Sequence, residues 1–239
     1  MFPPVDAWTN RLKWLVPAAL AVAGALYAGN WYLEDRAEAK LAESSARDAT
    51  ERLFDAVGHL SDGKGITYGD LIAKAAGHAV EVGKLRLRIR MAGPARNEAR
   101  MAAVSGYLDA AETALREAQN MLRHRAVFNA AIGGANRMVE GAKRSVDVME
   151  AERDRIAAGR GGDSAYVSAL GASGVASIQT GIADNLVAEA KMARAALDRS
   201  ASDYNAAMDR VAERGVAAAA YVPKSALLMP ENLGKSALR

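Results

Sequence analysis

Residues 14–33 form twenty successive positions without a charge, and beyond them apolar residues recur at helical spacing along most of the chain. At about 1.5 Å of rise per residue the uncharged stretch is about 30 Å long as a helix, the thickness of one hydrocarbon core. Trp8 and Trp14 stand at one end and Trp31-Tyr32 at the other, so amphipathic rings would sit at both headgroup levels. Pro17 falls near the first turn, where a missing N–H costs least. Ala23-Gly24-Ala25 has the small-x-small form of a leader-cleavage site, but a cleaved leader has no use for the distal Trp31-Tyr32 pair. The stretch therefore predicts a transmembrane helix at 14–33 after a short tail at 1–13. Arg11 and Lys13 precede it and Glu34-Asp35 follow it, which places the tail inside and the body outside.

The body, 34–222, reads as four helical stretches. The first continues from the span to about Leu60 and ends in Ser61-Asp62-Gly63-Lys64-Gly65. The second opens at Thr67, with Asp70 three residues on in an acidic variant of the capping box, and ends at Gly93. Pro94 starts the third at the helix position that best tolerates proline. That helix runs to about Ala158, where Gly159 and Gly161-Gly162 make a turn. Asp163 or Ser164 caps the fourth, which continues to Val222. Residues 223–239 read as a C-terminal tail without periodicity.

The third stretch carries the clearest pattern. Met101, Val104, Leu108, Ala111, Leu115, Ala118 and Leu122 alternate three and four apart, and so do Phe128, Ile132, Ala135, Val139, Ala142, Val146 and Met149. Each run is a heptad seam. The two are out of phase by a three-residue stammer centred on Arg123-His124-Arg125. The first two stretches are each under half as long as the last two. They can accompany only the part of the third up to about residue 122. The expected fold is all-α: an N-terminal transmembrane helix continuing into a long antiparallel bundle. It has four helices near the membrane and a two-helix coiled-coil hairpin beyond, reaching about 95 Å.

Composition narrows this picture. Half the residues are hydrophobic but only 5% are aromatic, and alanine makes up much of the rest, which favours close helix pairs over a compact globule. Thirty-one basic residues balance 28 acidic ones, so no polyanion binder is announced and no nucleic-acid partner is expected. With no cysteine, disulfides, thiolate metal sites and cysteine nucleophiles are excluded. His59, His78 and His124 lack metal-ligand spacing. Asp62-Gly63-Lys64-Gly65 lacks the alternating carboxylates of a calcium loop. No nucleophile stands with a base. Catalytic, metal and cofactor sites are therefore expected to be absent.

Two stretches stand out for binding. Lys84, Arg86, Arg88 and Arg90 alternate with apolar residues as in a strand, but no second segment could pair with them. As a helix they flank a buried face of Val82, Leu85 and Ile89. With Arg96 and Arg100 they form a basic cluster at the membrane-near end of the bundle, suited to anionic headgroups or to the acids of the first helix. Residues 164–183 again lack any charge, but their Ser, Gly, Thr and Gln content does not suit a span. Ala169, Ser173, Ser177 and Gly181 repeat every four residues, a ridge that admits a close helix. The opposing part of the third helix is heavily charged, so an uncharged outer face on the fourth needs a cover. Val167, Leu170, Ser173, Ser177, Ile178 and Gly181 are the expected contacts to an oligomer or a partner protein.

One N-terminal span, a helical body and Tyr204-Asn205 are shared with LemA-like proteins, but the rest of the chain does not follow their pattern, and no family is assigned. The function read from this architecture is a non-enzymatic scaffold or accessory subunit in the inner membrane of a bacterial envelope. It would project a rod and bind protein partners, as a homo-oligomer or in a complex. The alternative is a sensing or ligand-binding bundle acting through a partner. A buried polar pocket in the four-helix part would favour that alternative, and a solid Ala/Leu core the scaffold.

Overall fold

The computed structural model describes the backbone of residues 5–62, 67–92 and 95–233, and the side chains of 21–56, 67–92 and 95–231. Four long helices dominate them: α1 (Val5–Asp62), α2 (Tyr68–Met91), α3 (Glu98–Ala157) and α4 (Asp163–Ala218). A 3-10 turn at Lys224–Ala226 and a one-turn α5 (Pro230–Leu233) follow, and no strand occurs among the described residues. The alternating run 84–90 is helical, as its lack of a partner strand requires.

Local chemistry sets the ends. Thr67 caps α2 as expected: its hydroxyl accepts the Asp70 N–H at 3.2 Å and donates to the Asp70 carboxylate at 2.7 Å, so the acid returns the contact through the hydroxyl. Pro94 lies outside the described residues. α3 starts later than the sequence suggests, at Glu98, because the Asn97 side chain accepts the Arg100 N–H at 2.9 Å and serves as the cap. α3 ends where Gly159 takes a φ of +67°. The Arg160 N–H then reaches back to the Arg155 carbonyl, the bond that closes a left-handed C-terminal cap.

The chain divides into two units. The first comprises Met1–Asp55, Val80–Glu112 and Asp209–Arg239. Its interior is built from Ala42, Ala46, Ala49 and Leu53 of α1, Val82, Leu85 and Ile89 of α2, Val104, Tyr107, Leu108 and Ala111 of α3, and Val211 and Ala218 of α4. Part of the C-terminal segment read as a tail without periodicity completes this interior. Ala226, Leu227, Leu228 and Met229 are all buried. The Leu228 N–H donates to the Tyr107 hydroxyl at 2.9 Å. Tyr107 and Thr50 share a 2.6 Å hydrogen bond, and the Thr50 hydroxyl donates to the Ala226 carbonyl at 2.9 Å. With Tyr107 as donor to Thr50, these bonds engage one carbonyl and one N–H of the strap, and the Thr50 proton is shared between the carbonyls of Ala226 and Ala46. Burial pushes the Tyr107 phenol above its ordinary pKa, partly offset by these bonds. Gly215 lies under the strap. A Cβ there would stand 2.4 Å from the Leu228 carbonyl oxygen, so only glycine fits.

The second unit comprises Ala56–Ala79 and Thr113–Met208. Leu71, Ala75 and Ala79 of α2 join Ala114, Leu115, Ala118, Met121 and Leu122 of α3 in its core. The Tyr68 hydroxyl, on the first residue of α2, accepts from Asn129 at 2.7 Å. Beyond that point α3 and α4 pair through small residues. A Cβ on Gly134 would meet Leu186 at 3.2 Å, and one on Gly141 would meet Gln179 at 2.7 Å.

The stammer does not hold. The first run, Met101 to Leu122, is buried throughout, but in the second Ile132, Val139 and Val146 are exposed. The row facing α4 comprises Ala131, Ala135, Met138, Ala142, Ser145 and Met149, all buried or half-buried. Tyr107, Ala114, Met121, Phe128, Ala135, Ala142 and Met149 follow one another at a constant seven residues and none is exposed. This stripe runs through the supposed break without a change of phase. A second stripe, made by the first run, stops at Leu122. Two stripes on one helix, of which one ends, mimic a phase shift in sequence.

Candidate functional site

The basic cluster is largely claimed by carboxylates within the first unit. Arg100 meets Asp35 at 3.0 Å, and the Arg96 guanidinium meets Glu34 at 2.7 Å. Glu38 accepts the backbone N–H groups of Arg96 at 2.8 Å and Asn97 at 3.3 Å. Three acids just past the uncharged stretch thus clamp the α2–α3 turn and the start of α3 onto α1. The Arg96 hydrogen bond draws the Glu34 carboxyl below its usual pKa. Arg86 pairs with Asp109 and with the buried Glu112, at 3.1 Å from the latter, while Lys84 pairs with Glu81 at 2.7 Å. Arg88 and Arg90 lie exposed in the last turn of α2. Of the two partners the sequence offered this cluster, acids of the first helix do hold Arg96 and Arg100, while the pairing of Arg86 with Asp109 and Glu112 of α3 was not foreseen.

Among the described residues beyond α1, the uncharged stretch of α4 is an extended surface with no cover from its own unit. Its seam on α3 comprises Ala165, Ala169, Ala172, Ala176, Gln179, Ala183, Leu186 and Ala190, each buried or half-buried. At about 100° per residue, Gly174 and Gly181 lie on the far side of the helix from this seam, with Val167, Leu170 and Ile178 around them. Leu170 is 78% exposed, Val167 71% and Ile178 65%. Ser173, Ser177 and Gly181 are exposed as well, so all six expected contact residues lie outside the α3 seam. The four-residue ridge contributes only Ala169 to packing on α3, which is approached instead through the alanine row.

Glycine use on this face is expensive. Gly171, Gly174 and Gly181 are mid-helix, and a Cβ at any of them would meet nothing within 4 Å. Each costs the helix about 1 kcal/mol relative to alanine, and nothing within the unit requires the missing side chain. Along the first part of this stretch, from Tyr166 to Ser173, runs an open groove of about 760 Å³ whose lining includes Met149, Ile156 and Leu170, with the charges Glu150, Arg153 and Asp154. The arrangement can receive an apolar helix face. Among the described residues no group of three or more His, Asp or Glu could hold a metal ion.

Among the described residues no helix is long and apolar enough to cross a membrane. Trp8, Trp14 and Pro17, and the side chains of 14–20 generally, lie outside them. From 21 to 33 every residue of α1 is exposed, and packing on the helix begins at Glu34. Comparison with protein-family models, with curated proteins and with solved structures finds no significant match to this chain.

Proposed function

We propose that this chain is a single-pass, non-enzymatic scaffold of the bacterial inner membrane, body outside, that presents the uncharged face of α4 to protein partners. The observation that carries the anchor is the first part of α1. Val22, Leu26, Tyr27, Trp31, Tyr32 and Leu33 are exposed around the whole helix, a distribution costly in water and suited to hydrocarbon with aromatic ends. The bundle starts at the residue where charge returns, Glu34, and the exposed Arg88 and Arg90 in the last turn of α2 suit contact with anionic headgroups. The α4 face supports the docking role, since contiguous exposed apolar surface of this extent marks interaction sites.

Packing in the first unit favours the scaffold over a ligand-sensing bundle. Its interior is filled by alanine, leucine, valine and the C-terminal strap, and the buried Thr50, Tyr107 and Glu112 are engaged by neighbouring protein groups. Membrane fractionation under alkaline carbonate tests the anchor. The full chain stays with the membranes, and deletion of residues 14–33 releases it; a deleted chain that remained in the pellet would refute the reading. A cysteine at Ser164 labelled by impermeant maleimide in intact spheroplasts supports the outer location, and labelling only after lysis reverses it.

A further inference from the structure

We infer that the occupant of the α4 face is a second copy of this chain, the two α4 helices crossing side by side with Gly174 on a two-fold axis. The inference rests on the docking reading above and names its partner. In an isologous contact each residue near the axis meets its own copy, so any charge there repels itself. Residues 164–183 contain none, which suits self-pairing and offers a charged partner nothing to hold. Gly174 stands on the side opposite α3, with open space where its Cβ would be, and Gly181 repeats it one heptad on. Backbone can therefore approach backbone at the axis, while Val167, Leu170 and Ile178 pack around the crossing.

The available area fits. The exposed parts of Tyr166, Val167, Leu170, Val175, Ile178 and Ile182 sum to roughly 600 Å², against roughly 800 Å² per partner in a stable interface. The remainder is supplied by the groove margin, where Arg153 stands beside Asp154 and three residues from Glu150. Both signs are present there, so the margin complements its own copy. With both anchors in one bilayer the two copies run parallel, the two-fold axis lies along the helices, and Ser177 comes near its own copy about one turn from the Gly174 contact.

The chain has no cysteine, so Ser177→Cys in the full-length protein can be treated with a short bismaleimide in membranes and in mild detergent. The expected result is a product of twice the chain mass, reduced at least tenfold by adding Gly174→Leu. That change fills open space and leaves the helix content unaltered, so loss of the product is not loss of the fold. A product that survives Gly174→Leu overturns the axis assigned here. Absence of the product, with plain maleimide labelling of Ser177→Cys only after extraction, means that a different protein covers the face; the second copy is then wrong and the docking reading stands. Absence of the product with full labelling in membranes overturns both.

Discussion

Gly215→Ala reverses the usual sign of a glycine-to-alanine change in a helix. Mid-helix alanine ordinarily gains about 1 kcal/mol over glycine. At 215 the new methyl would lie 2.4 Å from the Leu228 carbonyl oxygen and 3.4 Å from its carbon. Both are backbone atoms, so the strap itself must move. Lifting it by about an ångström breaks the 2.9 Å bond from the Leu228 N–H to Tyr107, and a buried donor left without a partner costs about 1–3 kcal/mol. Looser packing of Leu227 and Leu228, each 2% exposed or less, adds a similar amount. After subtracting the helix gain, the variant should lose about 1–5 kcal/mol, or roughly 2–20 °C in melting temperature for a chain of this size. Gly77→Ala is the control, since Gly77 lies mid-helix in α2, is exposed and has nothing within 4 Å of its Cβ position. It should gain about 1 kcal/mol. Thermal unfolding of both variants in mild detergent, followed by far-ultraviolet circular dichroism, makes the comparison. If Gly215→Ala stabilises as Gly77→Ala does, the strap is not where this reasoning puts it.

Leu115→Ala should cost about 3 kcal/mol and Val139→Ala under about 0.5 kcal/mol, because Leu115 is 1% exposed and Val139 57%; equal losses in denaturant midpoint would restore Val139 to a packed seam. Burial pushes the Tyr204 phenol up to about 12, so the unfolded chain releases its proton near pH 10 while the folded chain keeps it. That contribution is intact below about pH 10 and falls by up to about 2–3 kcal/mol as pH rises to about 12. Melting temperature against pH should therefore drop less steeply above pH 10 for Tyr204→Phe than for the wild type, and identical slopes would contradict the assignment.

Helix content, the capping box at Thr67 and the turn at Gly159 were legible because each depends on neighbours in sequence. What sequence missed depends on distant groups. Ala226, Leu227, Leu228 and Met229 form an apolar run between Pro223 and Pro230, too short to show a period, and its burial is set by Tyr107 and Thr50, more than a hundred residues earlier. Tyr107 itself sits on the seven-residue row that reaches Met149, a row hidden because the more apolar run from Met101 to Leu122 overlays it. In the basic cluster the cations were evident, but Arg86 and Arg100 differ from Arg88 and Arg90 only by which neighbouring helix they face. The α4 face could be singled out because the absence of charge over twenty residues is itself a pattern; Val167, Leu170 and Ile178 are exposed there, and what they contact is the proposal.

The docking claim is tested most directly by placing charge on that face in the full chain. Ser173 and Ser177 are exposed and outside the α3 seam, so Ser173→Lys with Ser177→Lys leaves the helices folded while setting two cations on a stretch that carries no charge. The mass of the particle extracted from membranes in mild detergent is then measured for both proteins. The account predicts a wild-type particle larger than one chain and a doubly substituted particle containing one chain only, with unchanged helix content. Particles of equal protein mass would contradict it.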